Sequence, residues 1–364
     1  MTAIKPPMRK WIILAIVAGL VLLILYIYYI VGFGKVISEL EKTNLYYYAA
    51  AFLAMLAATL FFSLAWRSLL ANLSIKIKVR EAFLFLYAGV FIDFLVPDPA
   101  DIEGDLMMAY LASRASGESS GKTTASVIAH KIIGIVITVG NLVAGLILLA
   151  LRARYSLLSG ILIFVLFILA VLIASIVALY YISTRPKVTR RISHWIIGLF
   201  SFIMRGKLDS EKLRATAHKL LESYHEGFQT LAAKPKALIK PMLLSIVSWA
   251  LDVSVIFLVF ASIGYPITAD QVLIVYALTG ALQSMGISFI GVTEVITTTL
   301  YTILSIPLAV SLWATLLTRF ITFWFKLVIS YCAFQYAGLK LLFNQDKKIE
   351  QKTVDSTATS IKEE

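Results

Sequence analysis

Cysteine, charge and long polar segments are scarce in this chain, and each shortage excludes a class of protein. The one cysteine, Cys332, lies inside an apolar run, so the sequence offers no intrachain disulfide and no cysteine-based metal site. Charged residues make up 15% of the chain, and no stretch is long and polar enough for a soluble catalytic domain. No histidine pair has metal-ligand spacing, and no aspartate-rich motif suits magnesium and a diphosphate. We therefore expect neither a metal nor a cofactor.

Apolar residues dominate instead. They account for 60% of the 364 residues, the mean hydropathy is +0.87, and long apolar runs recur along most of the length. This composition predicts an all-α polytopic membrane protein. The net charge is +12, which in a membrane protein is typical of basic cytoplasmic loops, so we expect no nucleic-acid partner.

Six apolar runs are long enough to cross a bilayer as helices. The first is too long for the apolar core of a signal peptide and lacks a convincing cleavage site, so we interpret it as a retained span. Lysine and arginine around the spans place both termini in the cytoplasm of a multi-pass cell-membrane protein, although Arg152 and Arg154 conflict with this scheme. The predicted spans are 11–33, 45–66, 124–151, 157–182, 241–264 and 308–335.

Two further apolar runs are shorter, and they occupy matching places in the two halves of the chain. Each of the runs, 82–97 and 272–285, has roughly 15 residues, or about 22 Å of helix, against a hydrocarbon core of about 30 Å. Each ends in a break that contains glycine and a carboxylate. We predict two re-entrant helical hairpins, over 82–114 and 271–306. The competing interpretation makes each hairpin two short spans.

The order of these elements divides the chain into two similar halves. Spans one to three with the first hairpin begin in the cytoplasm, and spans four to six with the second hairpin begin outside. This same order of elements in opposite orientation predicts an inverted repeat with the hairpin tips meeting at mid-membrane. As domains, we predict a first membrane half over 1–182 and a second over 241–343. The intervening segment, 183–240, holds twelve lysines and arginines against four acids and is predicted to be a basic, helical cytoplasmic insertion. The polar residues 344–364 are predicted to be a disordered cytoplasmic tail.

Ionisable residues inside a membrane are costly and therefore mark candidate functional sites. Acids this close together require either protonation or compensating cations, and a cation in a polar cavity would hold a lipid phosphate. The alternative is structural, because Asp101 and Glu294 are placed to cap helices at the breaks. The candidate substrate-binding residues are Asp101, Glu103, Asp105, Lys131, Glu294 and Arg319, with Asp93, His130 and Asp252 as secondary candidates.

At the two breaks the sequence resembles the lysylphosphatidylglycerol synthase transmembrane family of flippase-like proteins. The first match is Ala100-Asp101-Ile102-Glu103-Gly104-Asp105 followed by Ala109-Tyr110-Leu111, and the second is Gly291-Val292-Thr293-Glu294 followed by Arg319. The chain departs from the family where Glu103 replaces a usual glycine, Asp105 a glutamate, Met108 and Lys131 arginines, and Gly134 an aspartate. An arginine-based phosphate clamp would therefore be weaker in this chain.

The resemblance implies lipid translocation or a role beside lipid or polyprenyl-glycan synthesis, and the family's soluble aminoacyl-transferring domain is absent from this sequence. We favour a flippase that moves an anionic phospholipid or a polyprenyl-phosphate-linked lipid between leaflets and is not itself an enzyme. One alternative is a membrane-embedded transferase with Asp101 or Glu103 as general base. Another is an accessory scaffold whose insertion recruits a cytoplasmic synthase. A homo-oligomer remains open.

Overall fold

The computed structural model describes residues 43–95, 102–151, 158–189, 191, 210–284 and 291–337. Throughout these ranges the chain forms helices joined by short connections, without a strand. The first predicted span, Asp101 and the polar tail lie outside the described residues.

Ten α-helices and one 3-10 turn account for most of the described chain. The last of them, which ends at Arg319, continues through a π-helical segment, Phe320–Phe325, into further helix over 326–337. The helices are α1 (Leu45–Asn72), α2 (Val79–Leu95), α3 (Ile102–Ser116), α4 (Ser120–Leu151), α5 (Leu158–Thr184), α6 (Ser210–Ala232), α7 (Ile239–Ser262, after the 3-10 turn Pro235–Leu238), α8 (Ala269–Ser284), α9 (Val292–Ile303) and α10 (Leu308–Arg319).

Five of the described helical stretches are long and apolar enough to cross a membrane. They correspond in order to the second through sixth predicted spans, so the chain is an all-helical, multi-pass membrane protein. We call the last of them the C-terminal span. The five are Leu45–Asn72, Ser120–Leu148, Val165–Thr184, Pro235–Ser262 and Leu308–Ala337.

Pairs of short helices stand where the sequence predicts hairpins. The helices α2 and α3 have 17 and 15 residues, and α8 and α9 have 16 and 12. At about 1.5 Å per residue, all four are roughly 18 to 25 Å long and fall short of the hydrocarbon core. Their lengths fit either re-entrant hairpins or tilted short spans, and both interpretations remain predictions.

The centre of the fold is a long pairing of α1 with α7. Small side chains allow the two helices to approach, and the hydroxyl of Ser248 donates to the carbonyl of Ala58 at 2.8 Å. The largest apolar cluster extends from this pairing through α4, α5, α8, α9 and the C-terminal span. The helices α1 and α7, which correspond to the second and fifth predicted spans, therefore form the centre of the described part of the molecule.

Each predicted hairpin packs on the last span of the other half. On α2, Phe91 contacts Tyr331 and Phe334 of the C-terminal span at ring-centroid distances of 5.5 and 5.1 Å. Reciprocally, α8 packs on α4, where the buried Asn141 amide donates to the carbonyl of Leu273 at 3.0 Å. This exchange of contacts places each hairpin between its own half and the opposite one.

The described part of the basic insertion is dominated by α6, which docks on the first turns of α4 and the end of α5. Its Tyr224 hydroxyl lies 2.5 Å from the Ser183 hydroxyl, and His225 Nδ1 lies 2.9 Å from the Ser183 carbonyl. Burial raises the pKa of the Tyr224 phenol, partly offset by the Ser183 hydrogen bond, so the phenol stays neutral at physiological pH. The C-terminal end of α5 is thereby joined to α6 by two polar contacts.

Candidate functional site

Two acid–cation pairs occupy equivalent places in the two halves. Each acid lies in the first turn of the second helix of a predicted hairpin, and each cation lies on the span that follows. Asp105 forms an ion pair with Lys131, 26 residues later, and Glu294 forms one with Arg319, 25 residues later. The two ion pairs therefore have the same placement relative to the two predicted hairpins.

The second pair is closely held. Glu294 Oε1 accepts from Arg319 Nε at 2.9 Å, and Glu294 Oε2 accepts from the backbone N–H of Gly291 at 2.7 Å. Gly291 has φ of 88°, a left-handed conformation that glycine adopts without strain. The carboxylate thus both caps α9 and pairs with the cation, so the structural and functional interpretations of Glu294 describe one geometry.

Arg319 is only partly satisfied by Glu294. Its side chain is 12% exposed, its guanidinium carbon lies 4.7 Å from the centre of the Phe323 ring, and Nη2 is buried without a hydrogen-bond partner among the described residues. The helix changes from α to π geometry immediately after Arg319, and such changes are frequent at functional sites. One turn beyond Glu294, the buried hydroxyl of Thr298 is also without a partner in the described chain.

The Arg319 Nη2 and the Thr298 hydroxyl, which have no partner among the described residues, are donors of the kind that bind an oxyanion. A buried donor that lacks an acceptor costs about 1 to 3 kcal/mol, so a bound oxyanion would relieve that cost. The guanidinium offers a planar fork suited to phosphate, and Thr298 offers a hydroxyl. Sequence reasoning identified Arg319 but missed Thr298 and Phe323. The spacing of four residues from Glu294 to Thr298 is the signal that places both on one helix face.

The side chains of the first ion pair, Asp105 and Lys131, are more exposed than those of the second. The side chains of Lys131 and Asp105 are 25% and 26% exposed, against 12% and 2% for Arg319 and Glu294. Neighbouring Glu103 is partly buried in the same first turn of α3. Lys131 is a flexible, strongly hydrated point charge, whereas Arg319 is a rigid fork, so the two halves present different binding groups.

Asp93 on α2 fixes the start of α3. Its Oδ1 accepts from the backbone N–H of Gly104 at 2.8 Å, in the turn that carries Asp105. A Cβ added at Gly104 would lie between 2.2 and 2.4 Å from the Asp93 carboxyl group, and one added at Gly89 would lie 2.7 Å from the Gly104 carbonyl oxygen. The secondary candidate Asp93 is thus a positioning residue for the first ion pair.

Replacing Gly104 with alanine is expected to lower the stability of the first hairpin. The Asp93 carboxylate must rotate away and give up its hydrogen bond, and the overpacking adds to the loss, so we expect a decrease of about 2 kcal/mol in the free energy of unfolding. Thermal unfolding of the detergent-solubilised chain measures it. Gly140→Ala is the matched control because a Cβ there meets nothing within 4 Å. Equal melting temperatures for the two variants would contradict the contact.

The other secondary candidates lie in different surroundings. The His130 ring is 3% exposed and stacks 4.1 Å from Phe62 of α1, with Nε2 lacking a partner in the part of the chain described. Asp252 lies near the middle of α7, within an apolar span. Within the described ranges, no group of three or more histidine, cysteine, aspartate or glutamate side chains is arranged to hold a metal ion.

Both ion pairs lie within a sequence region shared with a known family. The model of the lysylphosphatidylglycerol synthase TM region matches residues 12–330 of the chain. The chain belongs to this family. The match includes both predicted hairpins, the insertion and the spans on either side of them, so the resemblance noted at the two breaks extends to nearly the whole membrane region.

Several curated relatives are similar over almost their full length. The UPF0104 membrane protein PH1989 of Pyrococcus horikoshii is 24% identical over 323 residues, which is 87% of this chain and 94% of that protein. A UPF0104 membrane protein of Methanothermobacter thermautotrophicus is 24% identical over 319 residues, 85% of this chain and 90% of its own. UPF0104 membrane protein MJ1595 of Methanocaldococcus jannaschii is 22% identical over 347 residues, 90% and 95%. No solved structure matches.

Proposed function

We propose that this family member moves an anionic lipid between the leaflets of a membrane, with the headgroup passing the two ion pairs and the acyl or prenyl tails remaining in the bilayer. The observation that carries the proposal is the equivalent placement of Asp105–Lys131 and Glu294–Arg319. A headgroup path needs a cation on each side of the mid-plane. An inverted repeat supplies such a pair from one structural unit used twice.

The reciprocal packing of the hairpins supports an inverted repeat. The first helix of each hairpin lies against the last span of the other half, through Phe91 in one case and Asn141 in the other. Two units that exchange contacts in this way can rock against each other while their charged tips stay near the interface. Such a motion is the ordinary means of exposing a site first to one side of a membrane and then to the other.

In this proposal the phosphate of a lipid headgroup and the Glu294 carboxylate bind Arg319 in turn. In the absence of lipid, Glu294 neutralises Arg319, so that no bare cation remains in an apolar medium. Among the residues that the structure describes, none accepts from Arg319 Nη2 or the Thr298 hydroxyl, so a phosphate that approaches can accept from both. It can therefore bind before the ion pair breaks, and Glu294 remains close enough to re-form the pair and release the phosphate. Lys131 and Asp105 would act in the same way in the other half.

The experiment is a headgroup-accessibility assay in vesicles that contain the purified chain. Fluorescent phosphatidylglycerol, a fluorescent polyprenyl phosphate and a fluorescent zwitterionic phosphatidylcholine are each placed in both leaflets, and a membrane-impermeant quencher is added outside. We expect the protein to abolish protection of the inner-leaflet anionic lipids while phosphatidylcholine stays protected. The anionic lipid that responds names the substrate class.

Two other results would contradict the proposal. Continued protection of every anionic lipid by a chain with an intact melting transition would exclude translocation. Chemical conversion of the labelled lipid, detected by mass spectrometry of the same vesicles, would instead favour the transferase interpretation. Vesicles that contain the Glu226→Gln variant are the matched control, because the Glu226 side chain is 64% exposed and its partner Lys122 lies at the start of α4, so that neither belongs to a predicted hairpin.

A further inference from the structure

Two consecutive residues at the end of α2 contact the surroundings of both ion pairs. Asp93 accepts from the backbone N–H of Gly104 at 2.8 Å, in the first turn of α3, which also carries Asp105. The next residue, Phe94, packs edge-on against Phe323 of the C-terminal span, with 4.8 Å between the two ring centroids. The end of α2 therefore joins the first ion pair to the last span.

Phe323 extends this contact to the second ion pair. Its ring is 8% exposed, and the ring centroid lies 4.7 Å from the guanidinium carbon of Arg319, four residues earlier on the same span. A guanidinium at this distance is attracted to the face of an aromatic ring. Because Phe94 packs against the same ring, a shift of α2 would move the aromatic wall beside Arg319.

The first hairpin is packed closely enough to transmit such a shift. A Cβ added at Gly89 would lie 2.7 Å from the Gly104 carbonyl oxygen, so the backbones of α2 and α3 are already in close contact. On α3, Asp105 forms the ion pair with Lys131 of α4. Chains of packed side chains and hydrogen bonds are the means by which two sites in a protein influence each other. One such chain of contacts runs from Lys131 to Arg319.

We propose that Phe94 is a positioning residue that couples the anion site at Arg319 to the first ion pair. Phe94 does not touch the headgroup; it holds Phe323 against the guanidinium and thereby orients the Nη2 donor. A phosphate bound at the first pair moves the first turn of α3, and Asp93 carries this movement to Phe94. Occupancy of one site then changes the affinity of the other, and by linkage the effect is reciprocal. The consequence for transport rests on the proposed lipid translocation, whereas the coupling between the sites does not.

Nuclear magnetic resonance of the purified full-length chain, labelled with ¹⁵N at the arginine Nε atoms, tests the contact directly. The Arg319 N–H signal is assigned by its loss in Arg319→Lys, and its chemical shift depends on the nearby Phe323 ring. We expect Phe94→Leu to displace this signal by more than its linewidth. The matched control is Phe91→Leu, because Phe91 packs on other rings of the same span. A signal that stays in place in Phe94→Leu, or moves equally in both leucine variants, would overturn the proposal.

A second substitution tests whether the first ion pair acts through Phe94. Lys131→Gln removes the cation of that pair and is expected to displace the Arg319 signal when Phe94 is present. In a chain that already carries Phe94→Leu, the same substitution should leave the signal where it is. Equal displacement in both backgrounds would mean that the influence bypasses Phe94, and no displacement in either would mean that the two sites are independent. Both of these results contradict the coupling.

A transport measurement separates this proposal from the preceding one. In the lipid assay we expect Phe94→Leu to lower the rate by roughly tenfold, within the usual range for coupling between two sites, and Phe94→Tyr, which keeps an aromatic ring, to restore it. If no lipid moves but the Arg319 signal responds as expected, translocation fails and the coupling stands. If lipid moves at the wild-type rate in Phe94→Leu, translocation stands and the positioning role fails.

Discussion

Replacement of Glu294 with glutamine is expected to reduce anionic-lipid transport at least about a hundredfold, the largest loss for any single side chain in the protein. Removing one partner of a buried ion pair typically costs 3 to 5 kcal/mol, because the other charge stays behind uncompensated. About 2.7 kcal/mol in a barrier already corresponds to a hundredfold change in rate. Glutamine can still accept from the Gly291 N–H, so the cap of α9 is retained while Arg319 loses its counter-charge.

The double variant Glu294→Gln/Arg319→Gln distinguishes a transport defect from a folding defect. Removing both charges leaves no unpaired ion, so we expect its melting temperature to return close to the wild-type value. Transport should stay as low as in the single variant, because the phosphate ligand has gone. Recovery of transport together with stability would show that the pair only supports the fold. Glu226→Gln, in an exposed pair worth less than about 1 kcal/mol, should change neither quantity.

Much of the fold follows from hydropathy alone, because the membrane imposes a length on every span. Predicted spans 45–66 and 241–264 lie within or close to helices Leu45–Asn72 and Pro235–Ser262. The predicted ends differ where helices extend beyond the apolar run, by six residues at Asn72 and Pro235 and by four at Ser120. At Ser120 the Ser119 hydroxyl accepts from the N–H of Gly121 and the Thr124 hydroxyl donates to the Ser120 carbonyl, and hydropathy does not register such bonds.

The charged members of the site were also recognisable, since ionisable residues inside apolar sequence are rare and costly. The sequence did not indicate which acid pairs with which cation. The sequence offered Lys131 and Arg319 as compensating cations for a group of acids, whereas the structure assigns Asp105 to one and Glu294 to the other. That choice depends on which helix faces lie together. The π-helical segment after Arg319 depends on packing across several helices, and no local pattern indicates it. The spacing of Thr298 from Glu294 could be read from the sequence, but that its hydroxyl lacks a partner among the described residues depends on packing.

The insertion helix α6 packs closely against the start of the span that carries Lys131. It crosses the start of α4 at two glycines, Gly121 and Gly227, and Lys122 pairs with Glu226 at 3.3 Å beside the crossing. Glycine at a crossing lets two backbones approach closely. Because Lys131 lies on α4 a little further along, the position of α6 bears directly on the span that carries the first cation.

Alanine at Gly121 is therefore expected to detach α6 from the membrane region. An added Cβ would lie 2.2 Å from the carbonyl oxygen of Leu220 and 2.8 Å from the N–H of Tyr224, and backbone atoms cannot rotate away. Overpacking of about 3 kcal/mol corresponds to roughly a hundredfold greater population of the undocked state. Trypsin cleavage of α6 in detergent-solubilised protein should accelerate accordingly.

Alanine at three glycines should have different steric costs, and comparing them tests whether the close crossing holds α6 in place. At Gly227 an added Cβ would lie 3.1 Å from the Ala125 Cβ, a contact that small shifts can relieve, so Gly227→Ala should accelerate cleavage only several-fold. At Gly134, further along α4, nothing lies within 4 Å, and Gly134→Ala should leave cleavage unchanged while favouring the helix by up to about 1 kcal/mol. Equal acceleration at all three positions would indicate a general loss of stability. No acceleration at Gly121 would mean that α6 is held by its polar contacts to Ser183 rather than by the close glycine crossing.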